Sequence, residues 1–326
     1  MTSTTEIYDA VRSHYSAASS GRTTNGSYES TVAKAFGYSE EELASIPKDS
    51  NLGLSCGNPI VLAKLGQGET VVDLGSGAGF DVFLAAPKVG ESGHVIGVDM
   101  NKDMLEKAER NKAKANGGKG VSNVRFVEAP ITDISPLKDS TVDCIISNCV
   151  VNLVPEEEKP LVFNEMHRLL KKGGRVAISD ILIKDGVKLP DTLKQDMGLY
   201  VGCVAGASLV SQYETYLKDA GFSDVLIVDK GYDLNVYNSD VAEGEEGKSC
   251  CGTSTPAPAA KSCCGTSQPA QKPVQKPVQK SCCGTTAQTN GTNGESNGQV
   301  KAVGVDLKSV DFNEYAGSYN IYAVKT

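Results

Sequence analysis

Between Glu69 and about Ser179, short apolar runs alternate with stretches of helical period. TVVDLG (70–75), HVIGVDM (94–100), NVRFVEAP (123–130), VDCIISNCV (142–150) and RVAISDI (175–181) each read as a strand. Asn101 to Asn116, closed by Gly117 and Gly118, reads as a helix. So does Pro155 to Lys172, with a proline early, three glutamates in the first turn, Lys171 and Lys172 in the last, then Gly173 and Gly174. Those start and stop signals come in the order the helix dipole favours. Strands alternating with helices predict an α/β fold, a parallel sheet with helices on both faces.

The flanks differ. Residues 1–50 read as a polar helical segment, with Ile7, Ala10, Val11 and Tyr15 at helical spacing and Ser39 with Glu42 as a helix start. Such a segment can serve as a lid or a docking arm. Residues 182–240 form a helix-rich C-terminal domain that includes QYETYLKDAGF (212–222) and the strand VLIVDK (225–230). From about 241 to 303 the pattern stops: no Leu, Ile, Met or aromatic residue, but five prolines and many Gly, Ser, Thr, Gln and Asn. Such a stretch cannot bury enough apolar surface to offset its ordering entropy, so disorder is expected. The pattern returns in 304–326, where YNIYAVK (319–325) reads as a strand rejoining the C-terminal domain. The low-complexity stretch is therefore an insertion. On this reading 51–181 is the main domain, and 182–240 with 304–326 forms a smaller α+β cap.

Composition narrows the function. The 326 residues carry 40 acidic against 32 basic side chains, a net charge of −8, which argues against a nucleic-acid partner. No apolar run approaches the ~20 residues that span a bilayer. The polar N-terminus lacks the apolar stretch of a secretory signal. A cytoplasmic, monomeric chain away from membranes is the expectation, and in that compartment cysteines stay reduced. Ten cysteines then need a reason other than stapling.

VVDLGSGAGFD (71–81) places Gly75, Gly77 and Gly79 directly after a strand. A glycine turn there lets a ligand approach the backbone, and the next helix start offers free N–H groups. Asp99, twenty residues beyond Gly79, ends the second strand, where a carboxylate can accept from both ribose hydroxyls. The spacing D-x-G-x-G-x-G, with Asp73 ahead of the glycines, resembles the class I S-adenosylmethionine methyltransferases. That resemblance implies that Asp73 helps hold the methionyl part and that Met100 lies on the cofactor. It also places Ile131-Thr132-Asp133, with Thr132 in its middle, by the adenine, and sets Asn148 at the fourth-strand end. NAD is the runner-up cofactor, but the chain offers no hydride-transfer base or substrate-anchoring Arg at the expected places.

Four cysteines lie in the first 240 residues. Cys149 follows the fourth strand, at the end that faces a ligand crevice. Cys56 lies in the loop GLSCGNP and Cys203 in YVGCVAGAS, among small residues. Cys144, inside a strand, reads as a core thiol. Three loop thiols could meet over a methyl donor and hold a soft ion, or could simply be buried thiols. Zinc would want a fourth ligand, and His14, His94 and His167 have no ligand spacing. Trivalent arsenic takes three ligands and keeps a nucleophilic lone pair.

GLSCGNP, VVDLGSGAGFD, GVDM, ISNCVVNLVPEEEKPLVFNEMHRLLKKGGRVAISDI and LYVGCVAGA together are similar to the arsenite S-adenosylmethionine methyltransferases, over about 50–235. The resemblance implies that Cys56, Cys149 and Cys203 bind As(III), free or as a thiol complex, with S-adenosylmethionine as methyl donor. An external thiol reductant, glutathione or thioredoxin, would restore the thiols. Many family members carry a further N-terminal cysteine for a disulfide relay, and residues 1–55 hold none. A quinone or sterol C- or O-methyltransferase is the alternative, and a thiol-rich metal-sequestering protein is a third reading. Lys-Ser-Cys-Cys-Gly-Thr occurs at 248–253, 261–266 and 280–285. Its paired thiols, Cys250 with Cys251, Cys263 with Cys264 and Cys282 with Cys283, could capture a soft metal or substitute for the missing relay cysteine. The bland reading is a tolerated, expanded loop.

Overall fold

The computed structural model describes residues 3–20, 27–236 and 310–326. The insertion and its KSCCGT repeats lie outside the described residues. Seven strands form one sheet: β1 (Thr70–Leu74), β2 (His94–Asp99), β3 (Val124–Glu128), β4 (Val142–Asn148), β5 (Leu170–Ile183), β6 (Phe222–Asp229) and β7 (Ala316–Lys325). Their order is β3-β2-β1-β4-β5-β7-β6. The helices are α1 (Thr4–Ser20), α2 (Ser27–Ala35), α3 (Glu40–Ser45), α4 (Pro59–Ala63), α5 (Phe80–Val89), α6 (Lys102–Gly118), α7 (Lys159–Leu169), α8 (Asp191–Lys194), α9 (Met197–Val201) and α10 (Val210–Asp219). This is the α/β, Rossmann-like arrangement expected of a class I methyltransferase. Among the described residues no helix is long and apolar enough to cross a membrane.

Alternation along the strands builds two cores. Val72, Leu74, Ile145 and Ile178 pack with Val162, Phe163 and Met166 of α7 and Tyr213 and Leu217 of α10. Val71, Cys144, Ile146 and Ala177 face the other way, against Ile60 of α4 and Val82 and Ala86 of α5. Cys144 is fully buried there, and burial pushes its thiol up to about 12. Local signals act as the sequence implies at two caps. Ser39 and Glu42 close a capping box on α3, and the Asn101 side chain accepts from Asp103 and Met104 N–H at the start of α6.

Two elements depart from expectation. The helix that begins near Pro155 ends at Leu169, and Leu170 already starts β5. Lys171 does not serve the helix terminus: it reaches Asp143 on neighbouring β4 at 2.7 and 2.8 Å, so a strand pairing overrides the stop signal. The sheet is also not wholly parallel. β7 slots between β5 and β6, antiparallel to both, with Ile321 beside Ile178 on one side and Ile227 on the other.

A polar clasp explains that reversal. Asn235 Nδ2 donates to Asp311 Oδ1 at 2.8 Å, and Asn313 Nδ2 donates to Asp233 Oδ1 at 2.7 Å. The backbone N–H groups of Leu234 and Phe312 complete it, donating to Asn313 Oδ1 and Asn235 Oδ1. The chain thus returns where it left, at one end of the sheet, and must run back along it. Deleting 243–300 is therefore expected to leave the melting temperature within about 3 °C, since loop shortening changes closure entropy only slowly. Calorimetry of the deletion variant checks this, and loss of a cooperative transition would contradict it.

Candidate active site

The carboxyl ends of β1, β2 and β4 open into one cleft. Gly75 to Ala78, Asp99 to Asn101, Pro130, Ile131 and Asn148 to Val150 line it, and α1 supplies Tyr8, Val11, Arg12 and Tyr15. The helix is fixed over the cleft: Asn101 Nδ2 donates to Arg12 O at 3.0 Å, and Tyr15 Oη donates to Val201 O at 3.2 Å.

The glycine loop is tied to β2. Gly75 and Ser76 N–H donate to Val98 O at 2.8 and 3.0 Å. Asp99 accepts from Gly77 N–H (2.9 Å) and Asn101 N–H (2.8 Å). Gly77 has φ +51°, and a Cβ there would meet nothing within 4 Å, so its open side faces the cleft. Gly79 stands behind the loop, at the N-terminus of α5 with φ +91°. Among the described residues, the buried Ser76 hydroxyl has no hydrogen-bond partner. Pro130 and Ile131 form the lining there, and Thr132 does not.

Three acids crowd the cleft: Asp73, Asp81 and Asp99. Burial pushes Asp81 up to about 6, against the donors Tyr38 Oη (2.7 Å) and Asn148 Nδ2 (3.0 Å). Asp73 is held well above the usual carboxylate range, first by burial and then by the charges of Asp81 and Asp99. Such a cluster favours a cationic ligand, which relieves both causes at once. Asn148 also carries the loop before β1: its Oδ1 accepts from Cys56 N–H at 3.1 Å, and its Nδ2 donates to Gly57 O at 3.0 Å. Asp81 and Tyr38 were not singled out from the sequence, although Asp81 closes the quoted glycine motif.

The structure brings Cys56 and Cys149 together as a disulfide, their α-carbons 5.8 Å apart. Reduced cysteines were the expectation. The two loops converge because Asn148 pins one to the end of the strand that carries the other, a contact invisible across 93 residues of sequence. Cys203 remains a thiol, and its Sγ donates to Cys149 O at 2.7 Å. All three are buried in one apolar cluster with Leu153, Leu199 and Val204. Cys149 (φ +59°) and Cys203 (φ +67°) both hold left-handed backbone, a strain of about 1–3 kcal/mol each that the surrounding packing must offset. Burial, then the Asp180 charge, pushes the Cys203 thiol well up.

Asp180, three residues before the end of β5, is fully buried. It accepts from Tyr213 Oη (2.7 Å), Asn152 Nδ2 (2.8 Å) and Ile181 N–H (3.0 Å), and burial still pushes it up to about 7. In sequence it is one more polar residue at a strand end, with no motif around it.

The family described as Methyltransferase domain matches residues 65–221. The arsenite methyltransferase of Halobacterium salinarum is 46% identical over 202 residues, 62% of this chain and 49% of that protein. The arsenite methyltransferase of Aquipseudomonas alcaligenes is 36% identical, over 60% of this chain and 56% of that one. The crystallised arsenic(III) S-adenosylmethionine methyltransferase of Chlamydomonas reinhardtii is 31% identical, over 65% of this chain and 69% of that one, with a TM-score of 0.46. The chain is thus similar to arsenite methyltransferases over about three fifths of its length. The chain spans about half the length of the curated relatives it matches.

Proposed function

We propose that this protein methylates trivalent arsenic with S-adenosylmethionine as donor, arsenic being held by cysteine thiolates. One observation carries the reading: Cys149 lines the glycine-loop cleft and is bonded to Cys56, with the Cys203 thiol on its carbonyl. A thiol site thus opens directly onto a nucleotide-type cleft.

The cleft suits the donor. The open face of Gly77 admits a ligand against the backbone, the acids at Asp73 and Asp81 suit a cationic amino-acid end, and Asp99 suits the ribose. Met100 and Ile131 give the apolar wall an adenine needs. When bound, S-adenosylmethionine supplies an electrophilic methyl group to the arsenic lone pair. The chain's residues do the rest. Asn148 holds the Cys56 loop, left-handed backbone aims Cys149 and Cys203, and α1 closes the cleft against water. The lone pair is the nucleophile, so no general base is needed at that step.

The Cys56–Cys149 disulfide must first open. Two thiol equivalents, from glutathione or a thioredoxin-type dithiol, give two electrons and two protons and leave as a disulfide. We place this chemistry in a monomeric, cytoplasmic protein, where such reductants are abundant.

The test incubates arsenite, labelled S-adenosylmethionine and a thiol reductant with the protein, then reads arsenic speciation. Methylated arsenic that needs all three components is expected. Label transfer to a quinone or sterol but not to arsenic would replace this reading with the alternative.

A further inference from the structure

Asp180 is a buried acid that the arsenic chemistry leaves unused. One of its carboxylate oxygens and the Sγ atoms of Cys56 and Cys149 all lie within 4.8 Å of one another, and all three residues are buried. The Cys203 thiol is not part of that group. Three donors on two sides orient the carboxylate: Asn152 and Ile181 N–H on Oδ1, Tyr213 Oη on Oδ2. Held acids of this kind recur around bound metals, where such partners fix the ligating carboxylate. Lys159 is buried close enough to feel the Asp180 charge, so part of a negative donor set is already balanced. Donors on zinc, at ~2.3 Å for sulfur and ~2.1 Å for oxygen, stand ~3.5–3.8 Å apart in a tetrahedron. The carboxylate oxygen already lies within 4.8 Å of both sulfurs, and reduction lets the sulfurs part toward that spacing.

The oxygen donor sets the ion class. As(III) is satisfied by sulfur alone, whereas zinc and its heavier congener cadmium accept mixed sulfur and carboxylate sets. We infer that, after reduction of the Cys56–Cys149 disulfide, Cys56, Cys149 and Asp180 form a site for a thiophilic divalent cation, with one coordination place left open. A dithiol supplies two electrons and two protons to the disulfide and becomes a disulfide itself. The cation then displaces one proton from each thiol and binds the carboxylate as an anion. Re-oxidation of the pair expels the ion, so the site exists only in the reduced protein. None of this requires the arsenic reading, and binding is measured without methylation.

The experiment uses the full-length chain with Cys250, Cys251, Cys263, Cys264, Cys282 and Cys283 changed to Ser, reduced under argon and dialysed against cadmium. One cadmium per chain is expected, with thiolate charge-transfer absorption that vanishes on re-oxidation. X-ray absorption on this same chain should show two sulfurs with lighter neighbours in the inner sphere. Asp180→Asn, which keeps acceptors for Asn152 and Ile181, should weaken binding at least about tenfold. Cys56→Ser should abolish the absorption, and Cys203→Ser should leave cadmium affinity unchanged. An inner sphere of three or more sulfurs, no bound ion, or binding that depends on Cys203 would overturn the inference. The absorption spectrum needs no variant, so a misfolded Asp180→Asn chain leaves the test decisive.

Discussion

Cys149→Ser and Cys203→Ser are each expected to lower arsenite methylation at least about 1,000-fold, roughly 4 kcal/mol of lost transition-state stabilisation. Arsenic binds thiolate, and a serine hydroxyl neither ionises near neutral pH nor offers a soft donor. The exchange is nearly isosteric, so S-adenosylmethionine affinity should stay within a few-fold of the parent. That separates loss of the arsenic site from collapse of the cleft. The pH profile gives a second readout. Cys203 is a thiol whose ionisation is pushed well up by burial and by Asp180, and its proton leaves with an arsenite hydroxyl as water when the sulfur binds arsenic. No net proton is released, so arsenite affinity should stay within a few-fold between pH 6 and 9 while the Cys203 thiol stays protonated. Methylation that persists in both serine variants, or an arsenite affinity that changes about tenfold per pH unit across that range, would sink the thiolate site.

Local signals mark the glycine-loop cleft of this molecule. Gly75, Gly77 and Asp99 announce a ligand loop because each residue type serves a backbone need within a few positions, and the structure places them on one cleft. Ser39 with Glu42 and Asn101 mark helix starts for the same reason. What sequence could not carry is long-range. The Cys56–Cys149 bond depends on Asn148 meeting a loop some 90 residues earlier. Asp180 acquires its character from Tyr213 on α10 and Asn152 after β4, neither of which is near it in the chain. The start of β5 hid behind Lys171, Lys172 and two glycines, a pattern that fits a helix end until Asp143 is seen beside it. Apolar alternation marked β7 as a strand, but a period of two does not say between which neighbours, or in which direction, a strand will pair.

Gly75→Ala and Gly77→Ala are expected to fail in opposite ways, although only one residue separates them. Both glycines hold left-handed backbone, φ +70° and +51°, which costs an alanine about 1–2 kcal/mol. At Gly75 the new Cβ would also stand 2.5 Å from Val150 Cγ1 and 2.9 Å from Val150 Cβ. Val150 follows Cys149 and is packed on the core, so it has little room to yield, and overpacking adds about 1–3 kcal/mol. The sum, about 2–5 kcal/mol, should lower the melting temperature by about 6–15 °C. At Gly77 the Cβ meets nothing within 4 Å, so only backbone strain acts on stability and the melting temperature should fall by about 3–6 °C. That methyl enters the space a ligand would occupy against the Gly77–Asp99 contact, so S-adenosylmethionine affinity should drop at least about tenfold, near 1.4 kcal/mol. Calorimetry and equilibrium binding on the two variants read the contrast. If Gly77→Ala melts as early as Gly75→Ala while binding the cofactor normally, the glycine loop is a packing turn and the cleft does not hold its ligand there.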